Sequence, residues 1–506
     1  MIQIRVYTHG IRVRAEHLSE LKAIKSYIGA NLLQTEKNFN PRTRQYVTEN
    51  KAVYAARTSD NSEFRLLRAD FEPLLSHLEF MGFDASRVSV ETPDVPEGLD
   101  IEINWTSPFS PRDEQPQALE FALEPNKVTR VLEADTGFGK TYCGFYTACI
   151  LKKRTAFIME PSHIKTWVKD ANEYCDIGQS EILVIKGGDA IRALCDMQKH
   201  DMLEAKFIFF SATTLRNYIS DYENKDEPFP YEVPPDQLME FLQVGFIIRD
   251  EVHESIHALC KQVMYTNVER MMFLSATLVS DNSFINKMYG RVYPDEDRWK
   301  SKPNQHIQVR SAFYNAAKKA GLTGKGPRGY SHVNFEKQVF RKAKLKKEYW
   351  GLIKECVDVS FIRRQLEGTK CLVICATIKM AQFLAEEAKK AWPEHTIGCY
   401  VAGAKDEELY ERDIIFSTPK GAGTGVDIKN LSVGWNTVAI SSTQLQRQIM
   451  GRLRPIRKHP DKDPYFFMLW NRNVPQHLNY EHKRSIDLIG RCKSYKKVDL
   501  GMTIGI

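Results

Sequence analysis

The sequence predicts an α/β protein in which two parallel-sheet domains follow one another and a small α+β domain precedes them. Three observations support this fold class. Short apolar runs alternate with amphipathic segments over two long regions, a glycine-rich loop joins a strand to a helix in the first region, and a proline-containing break near residue 95 ends the N-terminal part. Strands that alternate with helices pair in parallel, and such sheets bind ligands at the carboxyl ends of their strands.

Length and composition are those of an ordinary globular chain. The 506 residues, 42% hydrophobic and 27% charged, suffice for about two to four domains. No apolar run reaches the roughly 18 residues of a membrane span, and Met1 to Tyr7 alternates as a strand does, unlike a signal peptide. Ten cysteines without a C-x-x-C pair argue against structural zinc and favour a reducing cytoplasm. The net charge of +7 permits an anionic partner without identifying one.

Residues 1–100 are expected to form the small accessory domain. The run from Thr92 to Gly98 contains two prolines and is expected to be a linker to the rest of the chain. The expected elements before it are a strand from Gln3 to Glu16, a helix from His17 to Ile28, two strands within 45–68 and a helix from Phe71 to Phe83.

The two larger regions give a first domain at 101–295 and a second at 296–506. Strands are expected at 129–133, 155–160, 181–185, 206–210, 244–249 and 271–275, and then at 371–376, 396–401, 412–416, 436–440 and 464–469.

The stretch 300–348 differs from the rest of the second domain in its charge. It contains thirteen Lys or Arg against two Glu, and we expect a basic insertion here. Its cations could contact the phosphates of a nucleic acid and its aromatic rings could stack on the bases. Alternatively, the segment could be a solvated helix followed by a flexible loop between domains. The aromatic residues in question are Phe313, Tyr314, Tyr330 and Phe335.

Residues 134–141 read Ala-Asp-Thr-Gly-Phe-Gly-Lys-Thr and follow an expected strand. They fit the phosphate-binding pattern G-x-x-x-x-G-K-[ST], with Ala134 in place of the opening glycine. Backbone N–H groups of such a loop and the N-terminus of the following helix bind phosphates. We expect Lys140 to contact the β- and γ-phosphates of a nucleoside triphosphate and Thr141 to contact Mg²⁺. The candidate nucleotide-binding residues of the loop are Ala134, Asp135, Thr136, Gly137, Phe138, Gly139, Lys140 and Thr141.

The run 245–253, Gly-Phe-Ile-Ile-Arg-Asp-Glu-Val-His, is an apolar strand that ends in two adjacent carboxylates. We expect Asp250 to coordinate Mg²⁺ and Glu251 to orient the attacking water. Two acids at this place could also cap the start of a helix. The phosphate loop upstream favours the catalytic interpretation, with ATP and Mg²⁺ as the cofactors.

With these motifs in this order, residues 105–460 resemble the superfamily 2 helicases and translocases. Asp250-Glu251-Val252-His253 resembles their DExH box, and Ser275-Ala276-Thr277 resembles the S-A-T motif that links ATP hydrolysis to nucleic-acid movement. The resemblance implies two tandem RecA-like domains, an ATP-hydrolysing enzyme, and coupling roles for His253, Ser275 and Thr277. The element R-x-x-Q, here Arg112 to Gln115, implies a contact with the adenine base.

Two segments of the second domain resemble motifs V and VI of the same family. The first, Ser417 to Asp427, implies nucleotide contacts for Gly425 and Asp427, although turn and capping roles are the alternative. The second, residues 448–455, resembles Q-x-x-G-R-x-x-R, but its second arginine falls one residue early and a proline takes the usual place. The resemblance implies that the arginine finger is Arg452, for which an ordinary place on a helix surface is the alternative. It also implies catalytic roles for Gln448 and Arg454.

The resemblance further implies a nucleic-acid partner whose backbone is held without regard to sequence. Segments 159–163 and 211–215 resemble family segments that touch phosphates. The run Asn38-Phe39-Asn40-Pro41-Arg42-Thr43-Arg44, followed by two expected strands and a helix that ends in Met81-Gly82-Phe83, is similar to the N-terminal module of the phage UvsW family of branch-migration and fork-remodelling DNA helicases. This resemblance favours branched DNA as the partner and, for a phage-encoded chain, the host cytoplasm as the location. The candidate nucleic-acid contacts are Pro161, Ser162, His163, Thr213, Thr418, Lys325, Arg328, Arg42 and Arg44, with plain surface roles as the alternative for the last two.

The implied function is an ATP-dependent DNA helicase or translocase that remodels forks and Holliday-type junctions in phage replication, recombination or repair, acting as a monomer. An RNA helicase is one alternative, because the motor motifs hold the backbone of either nucleic acid. A second alternative is the motor subunit of a restriction or nuclease system, since Pro294-Asp295, further acids and Lys300 resemble a nuclease motif with the wrong spacing. A third is a clamp that binds ATP and DNA without turnover.

Overall fold

The computed structural model describes residues 1–40, 45–56, 63–224, 226–253, 256–303, 305–327, 329–422 and 428–506. It contains two large seven-stranded sheets whose strand pairs are all parallel, and a small sheet precedes them. The expected fold class, two tandem RecA-like parallel-sheet domains after a small α+β domain, is confirmed.

The chain divides into two compact units. The first comprises Met1–Ala134 and Phe138–Ser301, and the second comprises Asp135–Gly137 and Lys302–Ile506. The first unit therefore includes both the small N-terminal sheet and the first large sheet. The domain limits 1–100, 101–295 and 296–506 stay predictions.

The N-terminal part forms a five-stranded sheet in the order β5-β6-β2-β1-β7, with a separate β3–β4 hairpin. The expected long first strand is two antiparallel strands, because the chain turns where Tyr7 N–H donates to the Gly10 carbonyl at 2.9 Å. Apolar side chains of the sheet and both helices form one core. The elements are β1 Ile2–Val6, β2 Gly10–Arg14, α1 Leu18–Asn31, β3 Leu33–Asn40, β4 Gln45–Ala52, β5 Ala55–Ala56, β6 Glu63–Leu67, α2 Phe71–Phe80 and β7 Val88–Glu91.

The first large sheet has the order β10-β11-β9-β12-β13-β8-β14. Its central strands are buried on both faces and read as continuous apolar runs, as expected for a parallel sheet covered by helices. The six expected strands are confirmed within two residues at each end, and β14 was missed. The elements are α3 Gln115–Leu123, β8 Thr129–Glu133, α4 Lys140–Leu151, β9 Thr155–Met159, α5 Ile164–Tyr174, β10 Ile182–Ile185, α6 Gly188–Lys199, β11 Phe207–Ser211, α7 Ala212–Glu223, α8 Leu238–Phe241, β12 Phe246–Arg249, α9 Ile256–Met264, β13 Arg270–Ser275, α10 Ser283–Val292 and β14 Arg298–Lys300.

The second large sheet has the order β19-β20-β18-β21-β22-β15-β23. The strand expected at 436–440 lies earlier, at Leu431–Asn436, and two strands were missed, β15 and β23. The elements are β15 Gln308–Ala316, β16 Lys325–Gly326, β17 Gly329–Tyr330, α11 His332–Arg341, α12 Ala343–Ser360, β18 Lys370–Ile374, α13 Ile378–Ala391, β19 Ile397–Tyr400, α14 Glu407–Tyr410, β20 Ile414–Ser417, α15 Pro419–Ala422, β21 Leu431–Asn436, α16 Thr443–Met450, β22 Tyr465–Asn471, α17 Pro475–Leu488 and β23 Ser494–Ile504.

The structure corrects the interpretation of 300–348 as an insertion. Its strand β15 pairs with β22 on one side and β23 on the other, so the segment is part of the second sheet. Phe313, Tyr314 and Phe335 are buried, at 6%, 1% and 0% exposure. The expectation that these aromatics could stack on bases was wrong, because their rings fill the core of the second unit. Tyr330 is half-buried, and its hydroxyl contacts the rings of His332 and His477.

Candidate nucleotide site and nucleic-acid contacts

The phosphate loop lies between the carboxyl end of β8 and the start of α4. Ala134 N–H donates to the carbonyl of Ser275 at 2.9 Å, which fixes the start of the loop to the end of β13. Gly137 and Gly139 have φ values of 92° and 94°, a region that glycine adopts without strain. A Cβ at position 139 would lie 2.4 Å from Gln115 Nε2. The loop therefore needs glycine here for its backbone angles and for space.

Lys140 is the first residue of α4, and its Nζ donates to the Ala134 carbonyl at 2.8 Å. The ammonium group thus points back across the loop, toward the place where a phosphate-binding loop holds its anion. Thr141 follows it, half-buried, in the first turn of the same helix. The backbone conformation, the helix N-terminus and this cation fit the triphosphate of ATP.

Gln115 lies beside this loop, and Arg112 bonds to Gln115. The Arg112 N–H donates to Gln115 Oε1 at 2.9 Å, and Gln115 Nε2 donates to the Phe138 carbonyl at 2.6 Å. Sequence reasoning assigned this amide to the adenine base and missed that it also holds the phosphate loop to the start of α3.

The two carboxylates lie directly after β12, which is two strands from β8 in the sheet. Asp250 Oδ1 accepts from the Glu251 N–H at 2.9 Å, and Trp167 Nε1 donates to Asp250 Oδ2 at 3.2 Å. Trp167 was not among the residues expected at the site, and its place on the buried face of α5 gives no signal in the sequence. Oxygen ligands of this kind suit Mg²⁺. Among the described residues no group of three or more His, Cys, Asp or Glu could hold a metal ion without other ligands.

Glu251 adopts a left-handed backbone conformation, with φ of 48°. Such a conformation costs about 1–3 kcal/mol for a residue with a side chain, and it persists where surrounding contacts impose it. The turn brings Glu251 Oε2 within 3.2 Å of His253 Nδ1. Strain at this position is consistent with a carboxylate held for chemistry rather than for helix capping.

His253 connects the carboxylates to Ser275, which is one of the expected coupling residues. Its Nδ1 lies 2.9 Å from Ser275 Oγ, and Ser275 Oγ donates its proton to the Thr277 carbonyl at 2.9 Å. Because that hydroxyl proton is already used, Nδ1 of the imidazole carries the hydrogen and donates to the serine. Burial lowers the pKa of His253, which keeps the ring neutral. The structure therefore brings the three candidate coupling residues together next to Glu251.

In the second unit, the candidate catalytic residues lie in and just after α16. Gln448 and Arg452 are buried, and the Arg452 backbone N–H donates to the Ile449 carbonyl at 3.2 Å in the turn that follows the helix. The helix start is fixed by the Ser442 side chain, which accepts from Leu445 N–H at 3.2 Å. Arg454 follows two residues after Arg452, beyond the end of the helix.

The candidate nucleic-acid contacts in the first unit follow the carboxyl ends of two strands. Pro161 and Ser162 are exposed after β9, His163 Nδ1 lies 3.7 Å from Asp250 Oδ2, and Thr213 is half-buried at the start of α7. In the second unit Thr418 follows β20 and its Oγ1 accepts from Gly421 N–H at 3.3 Å, while Lys325 is exposed in β16. The candidates Arg42, Arg44, Arg328, Gly425 and Asp427 lie outside the described residues.

Two comparisons with known sequences bear on these observations. Residues 108–280 match the family described as "Type III restriction enzyme, res subunit". The "Putative ATP-dependent RNA helicase L396" of Acanthamoeba polyphaga mimivirus is 24% identical over 319 residues, which are 60% of this chain and 53% of that protein. The chain thus spans about half the length of this curated relative.

Two solved structures are similar to the whole chain or most of it. The structure titled "The crystal structure of T4 UvsW" has 14% sequence identity and a TM-score of 0.35, with 99% of each chain covered. The structure titled "S. cerevisiae Dbp5 bound to RNA and ADP BeF3" has 12% identity and a TM-score of 0.49, covering 77% of this chain and 90% of the other. No helix in the described part of the chain is both long and apolar enough to cross a membrane.

Proposed function

We propose that this chain is a superfamily 2 helicase that hydrolyses ATP to move along and remodel branched DNA. One observation carries the proposal: a phosphate loop, two adjacent carboxylates and the His253–Ser275 bond meet at one edge of a parallel sheet. ATP, bound with Mg²⁺, supplies the phosphoryl group that is transferred to water.

The residues of this chain have distinct parts in the proposed reaction. The loop around Gly137 and Gly139 binds the phosphates through backbone N–H groups, and Lys140 neutralises their charge. Asp250 and Thr141 would hold the metal ion, and Glu251 would orient the attacking water. Arg452 stabilises the charge that develops on the γ-phosphate, a contribution that can reach about 10³–10⁵ in rate. Gln448, Arg454, Gly425 and Asp427 complete the proposed nucleotide contacts.

Hydrolysis is tested by Glu251→Gln, which keeps the size of the side chain and removes its negative charge. We expect the steady-state ATPase rate to fall by about 10²–10⁴, the usual contribution of a positioned general base, while ATP still binds. The matched control is Glu102→Gln, at a carboxylate that is 93% exposed and outside the site, and it should leave the rate unchanged. An unchanged rate in Glu251→Gln would refute the catalytic assignment and favour the clamp without turnover.

We propose branched DNA as the substrate because the N-terminal domain resembles that of the phage UvsW family. ATPase rates are measured without nucleic acid and with single strands, duplexes, forks and four-way junctions, each as DNA and as RNA, at one salt concentration. Greatest stimulation by forks or junctions of DNA supports the proposal. Lack of stimulation by every nucleic acid would refute it.

An RNA helicase is the second candidate, because the curated relative is named an RNA helicase. Stimulation by RNA but not by the same sequence in DNA would favour it, since the 2′-hydroxyl lets a protein distinguish the two.

The motor subunit of a restriction system is a third candidate, because the matched family is described as a restriction-enzyme subunit. Of the residues near 295–300 that suggested a nuclease, Asp297 Oδ1 accepts from Arg130 at 2.9 Å, a structural role for this carboxylate.

We also propose that the chain acts as a monomer in the cytoplasm, that of the host if it is phage-encoded. Sedimentation of the protein with and without forked DNA tests the first part, and a stable dimer would contradict it.

A further inference from the structure

A buried arginine lies immediately before the two carboxylates. Arg249 is the last residue of β12, and its side chain is buried. Burial lowers the pKa of its guanidinium to about 10, so the group remains charged at neutral pH. A buried charge is costly unless its neighbours compensate for it. The guanidinium donates a hydrogen bond to Gln262 Oε1 on α9.

Gln262, on α9, also contacts the segment that follows β11, which contains the candidate nucleic-acid contact Thr213. Its Nε2 donates to the Ala212 carbonyl at 3.2 Å. Ala212 is the first residue of α7 and directly precedes Thr213. One buried amide therefore bonds to Arg249, at the end of the strand that precedes Asp250, and to the segment that contains Thr213.

A small cavity of ≈ 20 Å³ lies beside these two bonds. Its lining includes Glu160, Thr213, Arg249, Asp250 and Glu251, which follow or end three adjacent strands, β9, β11 and β12. This volume suffices for about one water molecule between polar groups. Glu160 also interacts favourably with the charge of Arg249. Polar groups from the candidate nucleic-acid segments and from the hydrolytic loop thus share one small space.

We infer that Arg249 and Gln262 are positioning residues that transmit nucleic-acid binding at the Thr213 segment to Glu251. Hydrogen bonds weaken steeply with distance and angle, so a shift of the α7 N-terminus reorients Gln262. Gln262 fixes Arg249, and Arg249 is joined to Asp250 by one peptide bond. The inference rests on the proposed function, because it concerns how nucleic acid stimulates the same ATPase site.

The test is Gln262→Met, which keeps the approximate volume and removes both hydrogen bonds. The ATPase rate is measured with and without a saturating nucleic acid, and the melting temperature is measured in parallel. We expect the stimulated rate to fall by at least about fivefold, the low end of typical coupling between two sites, while the basal rate stays within about twofold. Gln262→Glu keeps an oxygen that accepts from Arg249, and it should retain more of the stimulation than the Met variant.

The matched control is Thr266→Val, at a residue two positions beyond the end of the same helix. Thr266 Oγ1 donates to the Gln262 carbonyl at 2.8 Å and is buried, so the variant also loses one interior hydrogen bond. It should lower the melting temperature and leave the ratio of stimulated to basal rate unchanged.

Two results would overturn the inference while leaving the proposed function intact. One is a Gln262→Met variant that is stimulated as strongly as the wild type. The other is a variant whose basal and stimulated rates fall by the same factor, which would indicate a structural role only. A wild-type protein that hydrolyses ATP but responds to no nucleic acid would instead refute the proposed function, and the inference with it.

Discussion

At the scale of single residues, the backbone of the phosphate loop constrains the chemistry as much as its side chains do. Gly139 combines a positive φ with a neighbour, Gln115 Nε2, at 2.4 Å from where a Cβ would lie. A side chain here would strain the loop and push away the amide that holds the Phe138 carbonyl. The loop would then present its N–H groups to phosphate less well.

We therefore expect Gly139→Ala to raise the KM for ATP by about tenfold or more, since strain of about 1–3 kcal/mol must be overcome on binding. The measurement is ATPase rate against ATP concentration. The control is Gly290→Ala in α10, where a Cβ meets no atom within 4 Å and φ is not positive. Equal KM values for the two variants would contradict this account of the loop.

At the scale of elements, the sequence identified the strands that are continuous apolar runs and missed those that are not. β9 and β12 are buried at every position, and both were located to within two residues. β15 contains polar residues such as Arg310 within a basic stretch, so the count of charges over 300–348 suggested an insertion there. β23 contains Lys496 and other polar residues, and no strand was expected there. Pairing partners far along the chain make these segments strands, and no local pattern contains that information.

In the candidate site, too, some features follow from local sequence motifs and others do not. Lys140, Asp250 and Glu251 follow strands in recognisable motifs, so their meeting at one sheet edge could be predicted from the sequence. The contacts of Trp167 with Asp250 and of Gln115 with the loop depend on how helices pack on the sheet. Those contacts are therefore visible only in three dimensions.

A buried carboxyl group on helix α11 of the second unit is expected to make the stability of the protein depend on pH. Glu336 on α11 accepts from Ala376 N–H at 2.6 Å and from Thr377 Oγ1 at 2.8 Å, just before the start of α13. Burial raises the pKa of this carboxyl from 4.5 to about 7. The folded state therefore binds more protons than the unfolded state between those values, and the contribution of Glu336 to stability falls as pH rises from about 4.5 to 7.

Glu336→Gln removes this titration and isolates it from other groups. We expect the melting temperature of the variant, relative to the wild type, to increase as the pH is raised from 5 to 7.5. Buried His332 and His477, whose pKa values are lowered by burial, titrate in both proteins and cancel in the comparison. A difference between variant and wild type that is constant across this range would show that Glu336 is ionised at pH 5.

At the scale of the whole molecule, the N-terminal domain is built into the first unit instead of being joined to it by a linker alone. Gly10 packs so closely that a Cβ would lie 2.7 Å from the Met264 carbonyl oxygen on α9. Arg291 of α10 donates to Asp70 at 2.7 Å, and Tyr27 donates to the same carboxylate at 2.8 Å. Asp70 is fully buried, so its charge depends on these partners.

Removing one partner of a buried ion pair leaves an uncompensated charge, which typically costs about 3–5 kcal/mol. We expect Arg291→Met to lower the stability of the first unit by an amount in that range, measured by chemical unfolding. Burial already raises the pKa of Asp70 and Arg291 opposes that shift, so without the arginine the carboxyl protonates more readily. The loss should therefore be smaller at pH 5 than at pH 8. Arg192→Met, which breaks an exposed pair with Asp189, is the control and should lower stability far less. If Arg291→Met were as mild as this control, the N-terminal domain would behave as the separate accessory domain that the sequence suggested.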